Sequence, residues 1–286
     1  MPELPEVETI ARGLHTLVRG RCILTADLLT PSVLRKGNPN TLPGKTIAHV
    51  SRRAKLLLIH LDCGECLAFH LKMTGRVWVA SPGQSLPKHT HLVCGLDGGD
   101  RLVFEDTRRF GFFGIYGPTD LAEWSFYKSL GPEPLESSAE DLAERLGARR
   151  AGVKGLLLNQ TVLAGIGNIY ADESLFAARI HPASLAANIP HAKRVQLCLE
   201  LRRILLEAIA AGGSTISDYR NAYGKSGIFQ DSFQVYGKKG EPCPACGRTL
   251  KAERVAGRTS TYCAGCQRKY KDWQGRAQAE AGGAES

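Results

Sequence analysis

Residues Cys243–Cys266 read CPACGRTLKAERVAGRTSTYCAGC. Two Cys-x-x-Cys pairs bracket sixteen residues, and each pair suits a tight knuckle whose two sulfurs reach one ion. Four thiolates close a tetrahedral shell, the structural rather than the catalytic form of a zinc site. The spacing predicts a zinc ribbon with one Zn2+ held by Cys243, Cys246, Cys263 and Cys266. A ribbon this small buries little core of its own, so metal binding supplies much of its folding free energy. Cys63 and Cys66 also stand two residues apart, but they lack a second pair nearby and flank a turn composition, DCGE.

The ribbon sits in the most basic part of the chain. The formal net charge is +9 over 286 residues. Between Ser214 and Trp273 eleven Lys/Arg face five Asp/Glu, so a net +6 falls in about a fifth of the chain. That concentration favours a face for a polyanion, nucleic acid first. There is no apolar run long enough to span a membrane and no basic-then-apolar leader, so the expected location is a reducing cytoplasm.

Upstream of the ribbon the pattern is helical. HAKRVQLCLELRRILLEAIAAGG predicts a helix with Val195, Leu199, Leu201, Ile204, Leu205, Ala208 and Ile209 on one face and a Gly pair as its stop. SAEDLAERLGA predicts another, with Ser138 at its start and Asp141 suited to the dipole there. LGPEPLESS, with two prolines, marks a domain boundary. Before it, from about Ile23 to Tyr116, short apolar runs (LLLIHLD, CLAFHLKM, RVWVA, HLVCGL, RLVFED) are broken by Gly-rich turns, which predicts a β-sandwich or barrel. Val7, Ile10, Leu14 and Leu17 predict an N-terminal helix ended by Gly20. The expected division is 1–131, 132–235, 236–270 for the ribbon, and a disordered tail at 271–286.

The first nine residues, MPELPEVET, carry stiff and charged chemistry where chains are usually dispensable. Pro2 is small enough to permit methionine removal, which would leave a free secondary amine. An α-amino group has a reference pKa of about 7.7–8.0, against about 10.4 for lysine, so a useful fraction is unprotonated near neutrality. Attack of such an amine on a sugar aldehyde carbon gives an iminium ion, an electron sink for elimination. Glu3 stands beside it to handle protons.

MPELPEVET, RRAKLLL, HLKMTG, DTRRFG, LGPEPL, GIGNIYADESLF, QVYGKKGEPC and the four-cysteine ribbon occur in that order. Together, from Pro2 to about Lys269, they resemble the formamidopyrimidine-DNA glycosylase family of base-excision enzymes for oxidised purines. The resemblance implies an α+β chain of two domains. The first is a β-sandwich with an N-terminal helix; the second is helical, with a helix–two-turn–helix element and the zinc ribbon. It implies damaged double-stranded DNA as partner, one structural zinc, no small-molecule cofactor and a monomer.

It also implies roles. Pro2 is the nucleophile at C1′ of the damaged nucleotide, and Glu3 the acid that assists sugar-ring opening. Lys55 is assigned to proton transfer beside the backbone phosphate. Arg258 grips the phosphates flanking the lesion and is linked to the second elimination. Met73, Arg108 and Phe110 fill the gap left by an extruded base, the guanidinium meeting the widowed partner base. His89, Arg149, Asn168 and Tyr236 align with DNA-backbone contacts, and Lys154 with a position near the lesion pocket. NAYGKSGIF resembles the loop that closes over the extruded base. Two departures stand out: Lys72 adds a charge before Met73, and Thr107 replaces the more usual proline and loosens its loop. The rival readings are an endonuclease VIII-like enzyme for oxidised pyrimidines, a non-catalytic zinc-ribbon DNA-binding protein, and an RNA- or ribosome-associated zinc protein.

Overall fold

The structure, a computed structural model, describes residues 1–214, 222 and 227–271. Residues 221 and 223–226 of the expected lesion-closing loop and 272–286 of the expected tail lie outside them. The chain separates into two compact units. One comprises Met1–Glu133 with Leu205–Ser232; the other comprises Pro134–Ile204 and the chain from Phe233.

In the first unit helix α1 (Leu4–Val18) is followed by eight strands in two antiparallel sheets. One sheet runs β1 (Ile23–Leu28), β6 (Thr90–Leu96), β7 (Arg101–Asp106), β5 (Gly75–Ala80). The other runs β2 (Ile47–Arg53), β3 (Leu56–Leu61), β4 (Cys66–His70), β8 (Phe112–Tyr116). Their inner faces share one core: Val77, Leu92 and Phe104 come from the first sheet, Leu57, Ile59 and Phe69 from the second. Helix α1 adds Val7, Ile10, Leu14 and Val18, each burial stabilising by roughly 1.5–3 kcal/mol. Leu17 is only half-buried and Val18 completes the stripe in its place. Gly20 follows with φ +78 and open space around its missing Cβ, so the backbone angle, not crowding, calls for glycine there.

Strands β3 and β4 do not alternate, because both of their faces are covered. Leu56, Leu58, Ala68 and Tyr116 pack outward against Trp124, Phe126, Tyr127 and Leu130. Those aromatics lie on and around the one-turn helices α2 (Asp120–Glu123) and α3 (Ser125–Lys128).

The second unit holds α4 (Ala139–Gly147), α5 (Val153–Leu158), α6 (Asn168–Ala177) and the first part of α7 (His191–Ala210). Ser138 Oγ accepts the Asp141 N–H at 3.1 Å, an N-cap. On α7 the buried face differs from the expected one. Leu199 is 54 % exposed, while Leu197 and Cys198 are buried with Leu201, Ile204, Leu205, Ala208 and Ile209. Leu199 lies two residues, roughly 200° of helix, from Leu197 and so faces away. Between α5 and α6 the Gln160 amide staples its own loop. Nε2 donates to Leu158 O and Ile166 O, and Oε1 accepts from Gly165 N–H. The ribbon hairpin is β9 (Lys251–Val255) paired with β10 (Arg258–Tyr262).

Candidate functional site

Pro2 and Glu3 are buried at the start of α1. Glu3 is the N-cap residue of a capping box: its carboxylate accepts the Glu6 N–H, and Glu6 Oε2 accepts the Glu3 N–H at 2.9 Å. The other Glu6 oxygen accepts both the N–H (2.8 Å) and the hydroxyl (2.9 Å) of Ser214. Glu6 therefore fixes the turn that carries Pro2 and Glu3. Sequence reasoning passed over it, although an acid three residues into a helix is a capping signal. Burial is the largest cause lowering the terminal amine of Met1. The charges it feels are Glu3, Glu6, Lys55 and Arg108.

Lys55 is almost fully buried at the start of β3, just past Ala54, whose φ is +53. A non-glycine residue rarely adopts that angle, so the turn needs outside support. Glu133 gives it: its Oε1 accepts the Ala54 N–H at 2.6 Å and the Arg53 Nη1–H at 2.8 Å. Its Oε2 accepts from Arg52 Nη1 at 2.9 Å, and Arg52 Nε reaches Glu8 at 3.0 Å. The backbone position of Lys55 rests on this buried cluster.

His70, opposite Leu56 in the β3–β4 register, was not among the expected residues. Its Nδ1 accepts the Lys72 N–H at 3.1 Å, so the ring proton sits on Nε2. Burial first, then the Lys72 and Lys55 cations, push it down to about 3. A base whose pKa is lowered by folding gives stability above its unfolded pKa, and that stability is lost as pH falls below about 6.5. The His70 ring resonances are expected to stay fixed from pH 8 to 5 by NMR. Unfolding at pH 5 should show a loss of about 2 kcal/mol that His70→Gln does not suffer.

Met73 (44 % exposed) and Phe110 (54 % exposed) stand out from the surface, which excludes a core role for either. The Arg108 guanidinium lies 4.8 Å over the Phe110 ring. His89 is half-buried, with Nδ1 unpartnered among the described residues.

In the second unit Arg149 and Arg258 are exposed. Arg258 opens β10 directly after Ala256 and Gly257, both with positive φ, a tight hairpin tip. Asn168 heads α6; its Nδ2 donates to Thr259 O at 3.0 Å, while its Oδ1 is buried without a partner among the described residues. Tyr236 is half-buried, and its segment is held by Glu173. That carboxylate accepts the N–H of Gln234 (2.9 Å), Val235 (3.0 Å) and Tyr236 (2.8 Å) in succession. Glu173, like Glu6 and Glu133, is an acid that sequence reasoning missed.

The four ribbon sulfurs lie within 4.8 Å of one another. Cys243 and Cys266 are 3.8 Å apart, Cys246 and Cys263 3.5 Å, and none of the four is in a disulfide. A Zn–S bond of about 2.3 Å sets a tetrahedral S···S edge of about 3.8 Å, so the residues fit zinc. The Arg248 N–H is the largest cause drawing the Cys246 thiol down to about 7. Behind the sulfurs Val235 and Leu250 make the ribbon's small core, with Phe176 of α6 against it.

Three family models match in order along the chain. They are the formamidopyrimidine-DNA glycosylase N-terminal domain at 1–113, its H2TH domain at 130–220, and the zinc finger found in FPG and IleRS at 240–268. The chain belongs to the formamidopyrimidine-DNA glycosylase family. A formamidopyrimidine-DNA glycosylase of Symbiobacterium thermophilum is 42 % identical over 273 residues, 93 % of this chain and 89 % of the relative. That of Solibacter usitatus is 43 % identical over 275 residues, 94 % of this chain and all of the relative. Among solved structures, the Lactococcus lactis Fpg bound to DNA containing an abasic site has a TM-score of 0.86. It is 34 % identical, with 93 % of this chain and all of that one covered.

Lys154, which the resemblance aligns with a position near the lesion pocket, is 0 % exposed. Its Nζ donates to Asp172 Oδ1 (2.6 Å) and Ser260 Oγ (2.6 Å), and Asp172 Oδ2 accepts the Thr261 N–H (3.1 Å). It therefore ties α5, α6 and the ribbon strand together. Burial pushes the Asp172 carboxyl up to about 6 even against the Lys154 cation, so the pair depends on its network. Lys154→Met strands a buried carboxylate and is expected to cost about 3–5 kcal/mol by urea unfolding. Adding Asp172→Asn should return part of that loss.

Proposed function

We propose that the chain excises oxidised purines, 8-oxoguanine and formamidopyrimidines, from duplex DNA and then cuts the strand by β,δ-elimination. It is a base-excision glycosylase with the abasic-site lyase activity typical of its family. The observation that supports the residue assignment is the burial of Pro2 and Glu3 at the start of α1, where the charges of Glu3, Glu6, Lys55 and Arg108 act on the terminal amine. With Met1 removed, the Pro2 nitrogen becomes a free secondary amine beside Glu3. It attacks C1′ while Glu3 protonates the ring oxygen, and the damaged base departs. The resulting iminium ion acidifies C2′; that proton passes to Lys55, and the electron pair left behind expels the 3′ phosphate. A second elimination, assisted by Arg258, expels the 5′ phosphate. Lys55 serves proton transfer beside the backbone phosphate, while Asn168, Tyr236, His89 and Arg149 hold the backbone; Met73, Phe110 and Arg108 occupy the void and face the widowed base. Zinc holds the ribbon in shape and takes no part in the chemistry. The protein acts as a monomer in the cytoplasm, on nucleoid DNA. Among the described residues no helix is long and apolar enough to cross a membrane.

Borohydride trapping tests this reading. Duplex DNA carrying 8-oxoguanine opposite cytosine should yield a covalent adduct whose peptide mass places it on Pro2 as the first residue. The L. lactis relative has also been crystallised with DNA containing an oxidised pyrimidine, so that lesion belongs in the same experiment. An adduct with the pyrimidine alone would move the chain to the endonuclease VIII-like reading. Tight binding with no adduct on either lesion, or on an abasic site, would leave a non-catalytic DNA-binding protein.

A further inference from the structure

We infer that Thr74 and Asp106 are positioning residues that latch the two void-filling loops into a single wedge. The inference rests on the reading of Met73, Arg108 and Phe110 as gap fillers.

Each loop is tightly folded by itself. Met73 sits in a turn closed by Gly75 N–H to Leu71 O at 2.9 Å, with Lys72 at φ +52. A Cβ on Gly75 would come within 2.4 Å of Leu71 O, so the turn has no slack. Arg108 and Phe110 sit in a second turn, with Arg109 N–H to Asp106 O at 3.2 Å and Arg109 at φ +55. Asp106 Oδ2 accepts the Gly111 N–H at 2.6 Å and closes that turn from the far side. A Cβ on Gly111 would lie 3.0 Å from this oxygen and 3.1 Å from the Phe104 ring.

The loops meet at one hydroxyl. Thr74 donates to Asp106 Oδ1 in a short hydrogen bond, and its Oγ1 accepts the Arg108 N–H at 3.2 Å. Asp106 Oδ1 also lies 3.2 Å from that N–H. Asp106 is completely buried, and its own backbone is anchored: its N–H donates to His89 O at 3.0 Å, and its carbonyl accepts from His91 Nε2 at 2.9 Å. Thr74, the residue after Met73, and the turn that carries Arg108 and Phe110 thus share the Asp106 carboxylate. The three exposed side chains project from loops that cannot shift independently.

This arrangement suits a wedge. Filling a void in a duplex must offset the unstacking of the extruded base, and loops that first had to be ordered would lose that advantage. A latched pair enters already ordered, and what Arg108 meets on the widowed base is transmitted to Met73. Thr107, in place of proline, leaves the turn to be held by these hydrogen bonds instead of by a ring.

The test compares a step that needs the wedge with one that does not. Thr74→Val keeps the shape and removes the hydroxyl. It should slow excision from 8-oxoguanine duplex roughly tenfold, the scale of a hydrogen bond to a charged group. It should also flatten the ranking of the four opposite bases. Cutting of an abasic site already present in single-stranded DNA, which has no void to fill, should stay within about twofold. Thr74→Ser should restore excision; Thr74→Ala carries the same test should Thr74→Val not fold. Met73→Ala and Arg108→Ala are measured alongside. If both slow excision and the Thr74 variants do not, the latch is refuted and the wedge reading survives. If neither slows excision, the wedge reading fails and the latch with it. An equal loss on the single-stranded abasic site would reduce Thr74 to a general structural role and overturn the inference.

Discussion

A chain that keeps any residue ahead of Pro2 is expected to bind abasic duplex normally and to leave it uncut. In that form the proline nitrogen is a tertiary amide, its lone pair delocalised into the carbonyl, and it cannot attack C1′. Losing the nucleophile should lower strand cutting by roughly a thousandfold or more, the scale seen when a covalent catalyst's reacting atom is removed. The phosphate contacts are untouched, so DNA affinity should stay within a few fold. The comparison needs two preparations, one with Met1 removed and one with a blocking N-terminal extension. Both would be assayed by anisotropy with an uncleavable abasic analogue and by borohydride trapping. Trapping by the blocked form would overturn the role of Pro2. A Glu3→Gln variant offers a finer cut: it should lose base release while still cutting a preformed abasic site, because only the first step calls for its proton.

Removing zinc is expected to abolish binding instead. Structural zinc contributes on the order of 10 kcal/mol or more to folding a small ribbon. Here the apolar support is limited to a few residues around Val235 and Leu250. Without the metal the β9–β10 hairpin loses its base, and Arg258 at its tip loses its fixed position. Cys246→Ser, or exhaustive chelation, should weaken DNA binding by at least roughly a hundredfold. The first-unit sheets should keep their far-UV circular dichroism, and added zinc, but not magnesium, should restore the chelated protein. Affinity unchanged after the metal is shown to be gone would refute a structural role for the ribbon in binding.

The two experiments also mark where sequence was readable. The zinc site was legible because its ligands come in two local pairs; knuckle spacing is a short-range property. The Ser138 cap and the first helix were legible for the same reason. The acids that hold the site together were not. Glu133 meets Ala54 from 79 positions away, and Glu173 meets Tyr236 from 63. In sequence both read as ordinary surface charge, since their partners are backbone amides and any residue supplies an amide. The burial of Lys154 was no more legible: lysine is almost never fully buried without a paired charge, and its pair, Asp172, is 18 positions on. Leu199 was placed by hydrophobicity alone, where the phase of α7 puts it opposite the buried stripe.

Helix α6 carries a consequence for how this chain can change over time. Along ten residues, Asn168 holds Thr259, Asp172 holds Thr261 and Lys154, Glu173 holds the 234–236 backbone, and Phe176 touches the ribbon core. These grips are keyed to the pitch of one helix. Deleting or inserting a single residue would turn everything beyond it by about 100° and break several of them at once. Substitutions along α6 can be absorbed one at a time; changes in its length cannot. Among variants of this chain, insertions and deletions should collect in the loops and leave the residue count of α6 fixed.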